Sequence, residues 1–119
     1  MKSVFYFIRL SRPIFLLGAM LIYALGGGIA LYAGIRIDWR TYLLGQLWAL
    51  FLQLSVHYLN EFFNADADKE NPNRTPFSGG SGVIGDGKLD RRTPFIAGVT
   101  SLGILASLSV LIIAQIQPN

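Results

Sequence analysis

Residues 13–35 read PIFLLGAMLIYALGGGIALYAGI, a run of 23 positions without a charged side chain. A membrane helix needs about 20 consecutive, mostly apolar residues to cross the hydrocarbon core. This run therefore predicts a membrane-spanning helix. The alternative is a secretory signal peptide, with Lys2, Arg9 and Arg12 as its basic region. A signal core is typically about 7–15 residues long, however, and this run is longer.

Two further stretches have the same character. Residues 42–59 and residues 95–116 contain no Asp, Glu, Lys or Arg. We therefore expect three spans at about 13–35, 42–63 and 95–116, with a long polar loop at about 64–94. Charged residues make up 14% of the chain, against about 25% in soluble domains, as lipid requires. Residues 1–119 are thus expected to form part of one all-α, polytopic transmembrane helical bundle.

The basic residues predict how the chain is oriented. Lys and Arg prefer cytoplasmic loops. Three lie before the first span, two lie in the short loop after it, and five lie in the long loop. We expect an integral protein of the cell (plasma) membrane, with the N-terminus and the long loop cytoplasmic. The lipid bilayer is its expected partner, and no nucleic acid is expected. The chain has no cysteine, which excludes disulfides and Cys-ligated metals.

Polar residues of the second span fall on one face of the predicted helix. With about 100° per residue they lie within an arc of about 100°. The face comprises Gln46, Gln53, His57, Asn60, Glu61, Asn64 and Asp68. Interhelical hydrogen bonds, worth about 0.6 kcal/mol each, are one interpretation. The other is the wall of a cavity that opens to the cytoplasm, which the rise in polarity toward that end favours.

The start of the long loop is rich in hard oxygen donors, the ligands that Mg²⁺ prefers. They are Asn60, Glu61, Asn64, Asp66, Asp68 and Glu70. Lys69 and Arg74 follow closely. Acids that hold a metal beside cations that hold phosphate charge would suit a metal–diphosphate complex, whereas a solvated, mixed-charge loop is the alternative. The glycines of SGGSGV at 78–83 can expose amides that bind an anion, or can simply form a flexible return to the third span.

Residues 60–68, NEFFNADAD, resemble the first aspartate-rich motif, N-D-x-x-D-x-x-x-D, of the UbiA superfamily of intramembrane prenyltransferases. The following NPNRTPFSGGSGV most resembles the 1,4-dihydroxy-2-naphthoate polyprenyltransferase branch of menaquinone synthesis. RLSRP at 9–13 is similar to the family's usual entry into its first helix. The motif departs at two positions, where Glu61 and Asn64 each stand in place of an Asp. The second departure removes one negative charge.

The resemblance implies a fold of nine transmembrane helices with a second aspartate motif in its later half. This chain would cover about the first three helices. No acidic residue follows Asp90, so the second motif is absent from it. We therefore expect an N-terminal portion of a longer enzyme, inactive without the remaining C-terminal helices.

The resemblance also implies a reaction. Mg²⁺ bridges the motif and an isoprenoid diphosphate, whose ionisation leaves an allylic cation for an aromatic, quinone-precursor acceptor to capture. By position, Asn60, Asn64 and Asp68 carry the catalytic metal–diphosphate site. Asn64 and Asp68 are the expected metal ligands, with Glu61 and Asp66 as further candidates.

The same resemblance assigns Lys69 and Arg74 to the leaving diphosphate, whose charge they would stabilise. Other acceptors remain open, among them a glycerol phosphate, a haem or chlorophyll precursor and a sugar phosphate. A different class of function is also open. The chain would then be a non-catalytic, three-span membrane subunit or scaffold whose loop is a docking surface.

Overall fold

The described part of the chain forms four helices. The computed structural model describes residues 2–66, 70, 80–84 and 87–116, and these contain no strand. The helices are α1 (Lys2–Leu10), α2 (Pro13–Tyr32), α3 (Trp39–Phe63) and α4 (Arg92–Ile116).

Two of the predicted spans coincide with helices that are long and apolar enough to cross a membrane. These are α2 and α4. None of the apolar window of α2, and 17% of that of α4, is buried inside the molecule, whereas the core helix of a soluble protein would be mostly buried. At 25 residues α3 is also long enough, but its polar residues make it less apolar. A third span and a nine-helix fold therefore stay predictions.

Local signals set the ends of α1 and α2. Ser11 turns its hydroxyl onto the carbonyl of Ile8 at 2.6 Å as α1 ends. Arg12 then adopts a left-handed conformation (φ 55°), and Pro13 opens α2, where its missing N–H costs nothing. At the other end Gly34, with φ 84°, stops α2 before residue 35, the predicted end of the span. The short helix α1 is absent from the sequence prediction.

Aspartate caps start α3 and α4 a few residues before the predicted spans. Asp38 accepts hydrogen bonds from the Arg40 N–H at 3.2 Å and from the Thr41 hydroxyl at 2.8 Å. Asp90 accepts one from the Arg92 N–H at 3.0 Å. These carboxylates satisfy amide groups that the first helical turn leaves unpaired.

The central helix is α3, which packs extensively against α4 and less so against α2. The helix α4 approaches α3 closely at Gly98, where an added Cβ would lie only 2.8 Å from Leu59 Cγ. Farther along, the indole N–H of Trp48 donates to Ser109 Oγ at 2.9 Å. The molecule is 51 Å long, which suits a bilayer of about 40–45 Å including its headgroups.

A small core lies where α1, α3 and the segment before α4 meet. Its buried members are Leu10, Tyr58 and Val83. Beyond this core, most large apolar side chains of α2 and α4 point outward and are exposed. Lipid is the medium that such faces suit.

Candidate functional site

The C-terminal end of α3 presents two amide side chains. Asn60 and Asn64 are both exposed. The backbone N–H of Asn64 donates to the carbonyl of Asn60 at 2.9 Å, so the helical spacing extends to this residue. Residues four apart lie on the same face of a helix. The two amides thus offer a pair of outward-facing oxygen ligands on neighbouring turns.

Glu61, the residue between them in the motif, has a different environment. It is only 3% exposed, and its Oε1 accepts a hydrogen bond from the backbone N–H of Ser81 at 2.7 Å. The hydroxyl of Ser81 accepts in turn from the N–H of Val83 at 3.2 Å. The Glu61 carboxylate is therefore committed to holding the glycine-rich segment against α3.

Glycines on both sides of Ser81 make this contact possible. Gly80 has φ 75° and Gly82 has φ 79°, a region that residues with a side chain rarely adopt. Val83, only 1% exposed, anchors the same segment in the core. The sequence predicted that amides in this segment could bind an anion. In the structure one of these amides, the N–H of Ser81, donates to the Glu61 side chain of the protein itself.

Asp66 pairs with the basic residue that directly precedes α4. Its Oδ2 lies 3.5 Å from Nη1 of Arg91, and its side chain is 86% exposed. Arg91 also donates to the carbonyl of Phe62 at 3.3 Å. Its positive charge is stabilised there by the negative C-terminal end of the α3 dipole. An ion pair this exposed contributes about 0–1 kcal/mol. In the sequence Arg91 is one of the five basic residues of the long loop, and nothing local predicts its contact with the end of α3.

The polar face of α3 meets α2 at two levels. Nε2 of Gln46 donates to the carbonyl of Met20 at 3.3 Å, an interhelical hydrogen bond of the predicted kind. His57 is buried at 6% exposure, and its ring lies 5.7 Å from that of Phe15. Within the described part of the chain, Oε1 of Gln46 and both His57 ring nitrogens have no hydrogen-bond partner. Interhelical bonding thus accounts for part of this face and leaves His57 unexplained.

Arg12 brings a cation to the same end of the molecule. Its guanidinium lies 4.5 Å from the centre of the Phe15 ring, on which His57 also packs. A cation over an aromatic face is attracted by about 0.5–1 kcal/mol at exposed sites. The entry to α2 therefore places a positive charge close to the polar face of α3.

Only some of the predicted metal and diphosphate ligands belong to the part of the chain that the structure describes. Asp68, Lys69 and Arg74 lie outside the described residues. Within the described ranges, no group of three His, Cys, Asp or Glu side chains could hold a metal ion. The other side-chain oxygen donors described in the motif region are the exposed amides of Asn60 and Asn64 and the exposed carboxylates of Asp66 and Glu70. The two amides fit Mg²⁺ as part of a ligand set that carboxylates complete.

Comparison with known proteins adds no further constraint. No protein-family model, curated protein or solved structure matches this chain. The resemblance to the UbiA superfamily therefore stays a prediction from residues 9–13, 60–68 and 71–83.

Proposed function

We propose that this chain is the N-terminal part of a membrane prenyltransferase. It would transfer a polyprenyl group from an isoprenoid diphosphate to an aromatic, quinone-precursor acceptor. The observation that carries the proposal is the exposed pair Asn60 and Asn64 at the polar end of α3. The pair occupies two oxygen-donor positions of the motif, and Asp68 follows with the same four-residue spacing.

The apolar helices support the isoprenoid half of this proposal. A groove of about 450 Å³ runs along α3 between α1 and α4. Its apolar lining includes Phe7, Phe51, Leu54, Tyr58 and Ile96. An isoprenoid tail is wholly apolar, so this groove offers a surface that suits such a tail.

The charges near the end of α3 support the diphosphate half. Arg12 reaches this end through Phe15, and Lys69 and Arg74 follow the motif in sequence. In the proposal the cations neutralise the leaving diphosphate, and Mg²⁺, when bound, supplies charge stabilisation that Asn60, Asn64 and Asp68 direct. Glu61 acts indirectly, by holding the glycine-rich segment over the end of α3.

The experiment is a prenyl-transfer assay on the protein made from its complete reading frame. The probes are isoprenoid diphosphates of graded chain length with 1,4-dihydroxy-2-naphthoate as acceptor, with and without Mg²⁺. We expect Asp68→Ala to lower turnover about 100-fold or more. Asp90→Asn, which changes one charge in the same loop and keeps a capping side chain, is the matched control and should retain activity.

A second candidate is a non-catalytic membrane subunit or scaffold. The observation in its favour is the burial of Glu61, which gives one residue of the motif a structural role. Under this alternative Asp68→Ala leaves Mg²⁺-dependent diphosphate binding and prenyl transfer unchanged. Loss of both in that variant, with Asp90→Asn active, would rule the scaffold out.

A UbiA-type enzyme with another acceptor is distinguished by substrate alone. Turnover with a glycerol phosphate, a haem or chlorophyll precursor or a sugar phosphate, and none with the naphthoate, would keep the fold and change the acceptor. The same Asp68 dependence is expected in that case, because the diphosphate site is shared.

A further inference from the structure

Three large apolar side chains of α1 face away from the protein. Val4 is 63% exposed, Phe5 61% and Ile8 53%. With about 100° per residue, they span one side of the helix. Exposure of such an apolar face to water is unfavourable, so we expect an apolar surface or medium to cover it.

The opposite side of α1 is the one that contacts the protein. Leu10 is fully buried in the core cluster, and Tyr6 packs against it. The Phe7 ring stacks on Tyr58 of α3 with 5.5 Å between their centres. These contacts fix which side of α1 faces inward, so the exposure of Val4 and Ile8 follows from how the helix is seated.

Positive charge borders the exposed face. Lys2 and Arg9 are exposed, and α1 contains no acidic residue. At about 100° per residue they fall within about 60° of Phe5. An apolar face edged by cations is the pattern of helices that lie in a membrane interface, where the cations meet anionic headgroups.

The connection to α2 places α1 at that interface. Only Ser11 and Arg12 separate the two helices, and three Cα steps reach at most about 11 Å. The left-handed Arg12 and the following Pro13 break the helix there, so α1 does not simply extend α2. If α2 crosses the bilayer, α1 must lie within that distance of its surface.

We propose that α1 lies in the plane of the membrane interface and binds anionic lipid. Val4, Phe5 and Ile8 enter the boundary between headgroups and acyl chains. Lys2 and Arg9 contact the anionic headgroups. The helix thereby anchors the segment around Val83 at a fixed depth, through Leu10 and Tyr6. This proposal does not depend on the reaction proposed above.

No cysteine occurs in residues 1–119, so single cysteines can be introduced there without removing a native one. Single cysteines replace Val4, Phe5 and Ile8 in the full protein, which is reconstituted in bilayers with and without phosphatidylglycerol. Each cysteine carries a nitroxide, whose accessibility to oxygen and to a water-soluble nickel complex is measured. Ser3→Cys is the matched control, because Ser3 lies on the opposite side of the helix from Val4, Phe5 and Ile8 and is nevertheless exposed at the start of α1.

The expected result is high oxygen and low nickel accessibility at positions 4, 5 and 8, and the reverse at position 3. Anionic lipid should increase the membrane-bound component of the spectra. Lys2→Gln and Arg9→Gln should each weaken that component about fivefold, which corresponds to about 1 kcal/mol per charge near an anionic surface.

Three results would overturn the proposal. Nickel accessibility at positions 4, 5 and 8 equal to that at position 3 would place the face in water. Labels shielded from both reagents would place another protein segment over it. Spectra that ignore phosphatidylglycerol and both charge variants would remove the role of anionic lipid.

Discussion

The carboxylate of Glu61 accepts a hydrogen bond from the backbone N–H of Ser81 at 2.7 Å, and both residues are buried. The contact joins residues that are 20 positions apart and closes the long loop back onto the end of α3. It gives a residue of the motif a structural role beside the exposed amides of Asn60 and Asn64.

We expect Glu61→Ala to destabilise the protein by about 1–3 kcal/mol, because it leaves the buried N–H of Ser81 without its acceptor. Hydrogen exchange of residues 80–84, followed by mass spectrometry, measures the effect as faster exchange. Glu61→Gln keeps an acceptor oxygen and should exchange more slowly than the alanine variant. Equal protection in all three proteins would show that the contact does not hold the segment.

Gly98→Ala should destabilise the packing of α3 on α4. The added Cβ would lie 2.8 Å from both Cγ and Cδ2 of Leu59 and 3.4 Å from its backbone nitrogen. Overpacking of this kind costs about 1–3 kcal/mol. Thermal unfolding in detergent micelles measures the loss.

Gly103→Ala is the matched control on the same helix, because its added Cβ meets nothing within 4 Å. Alanine is also the better helix former, so this variant should be unchanged or slightly more stable. Equal effects at both positions would contradict the close packing at Gly98.

Ser109→Ala should weaken the α3–α4 contact by about 0.6 kcal/mol, the average for an interhelical hydrogen bond in a membrane. The change removes the acceptor of the Trp48 indole N–H. Ser107→Ala is the control, since the Ser107 hydroxyl bonds only within its own helix, to Gly103. A double-mutant cycle with Trp48→Phe isolates the pair, and a coupling energy of zero would show that the bond contributes nothing.

Acid should weaken the start of α3. The Thr41 hydroxyl, followed by the Arg40 N–H, stabilises ionised Asp38 and holds its pKa below the ordinary value of about 3.9. A lowered pKa in the folded state means that the stabilisation is complete above the ordinary value. It is lost as the pH falls through the lowered one.

Thr41→Val removes the largest cause and should raise the pKa of Asp38 toward its ordinary value. The ¹³C chemical shift of the Asp38 carboxyl, titrated in detergent, reports the change directly. Thr41→Ser keeps the hydroxyl and should titrate as the native protein does. A midpoint that is the same in the valine and native proteins would contradict this assignment.

Much of the fold could be predicted from the apolar runs. The runs at 13–35 and 95–116 coincide with α2 and α4. Their ends shift by a few residues because caps and a left-handed glycine, not hydropathy, decide where a helix starts and stops. Those signals are Gly34 at the end of α2 and Asp90 at the start of α4. The helix α1 was not predicted, because it is only nine residues long and has no long apolar run.

Less of the candidate site could be predicted. Helical spacing places Asn60 and Asn64 on one face of α3, and both are exposed in the structure. Its place in the motif made Glu61 a candidate metal ligand as well. The sequence gives no local signal that a segment 20 residues away buries this side chain. The contact of Arg91 with the end of α3 is likewise tertiary.

The central claim is that the polar end of α3 binds a diphosphate through Mg²⁺ and Asp68. Equilibrium binding of a non-hydrolysable farnesyl thiodiphosphate to the protein of the complete reading frame, in nanodiscs, tests it most directly. We predict binding that requires Mg²⁺, is lost in Asp68→Asn and persists in Asp90→Asn. Binding that is independent of Mg²⁺, or equal in the two variants, would contradict the account.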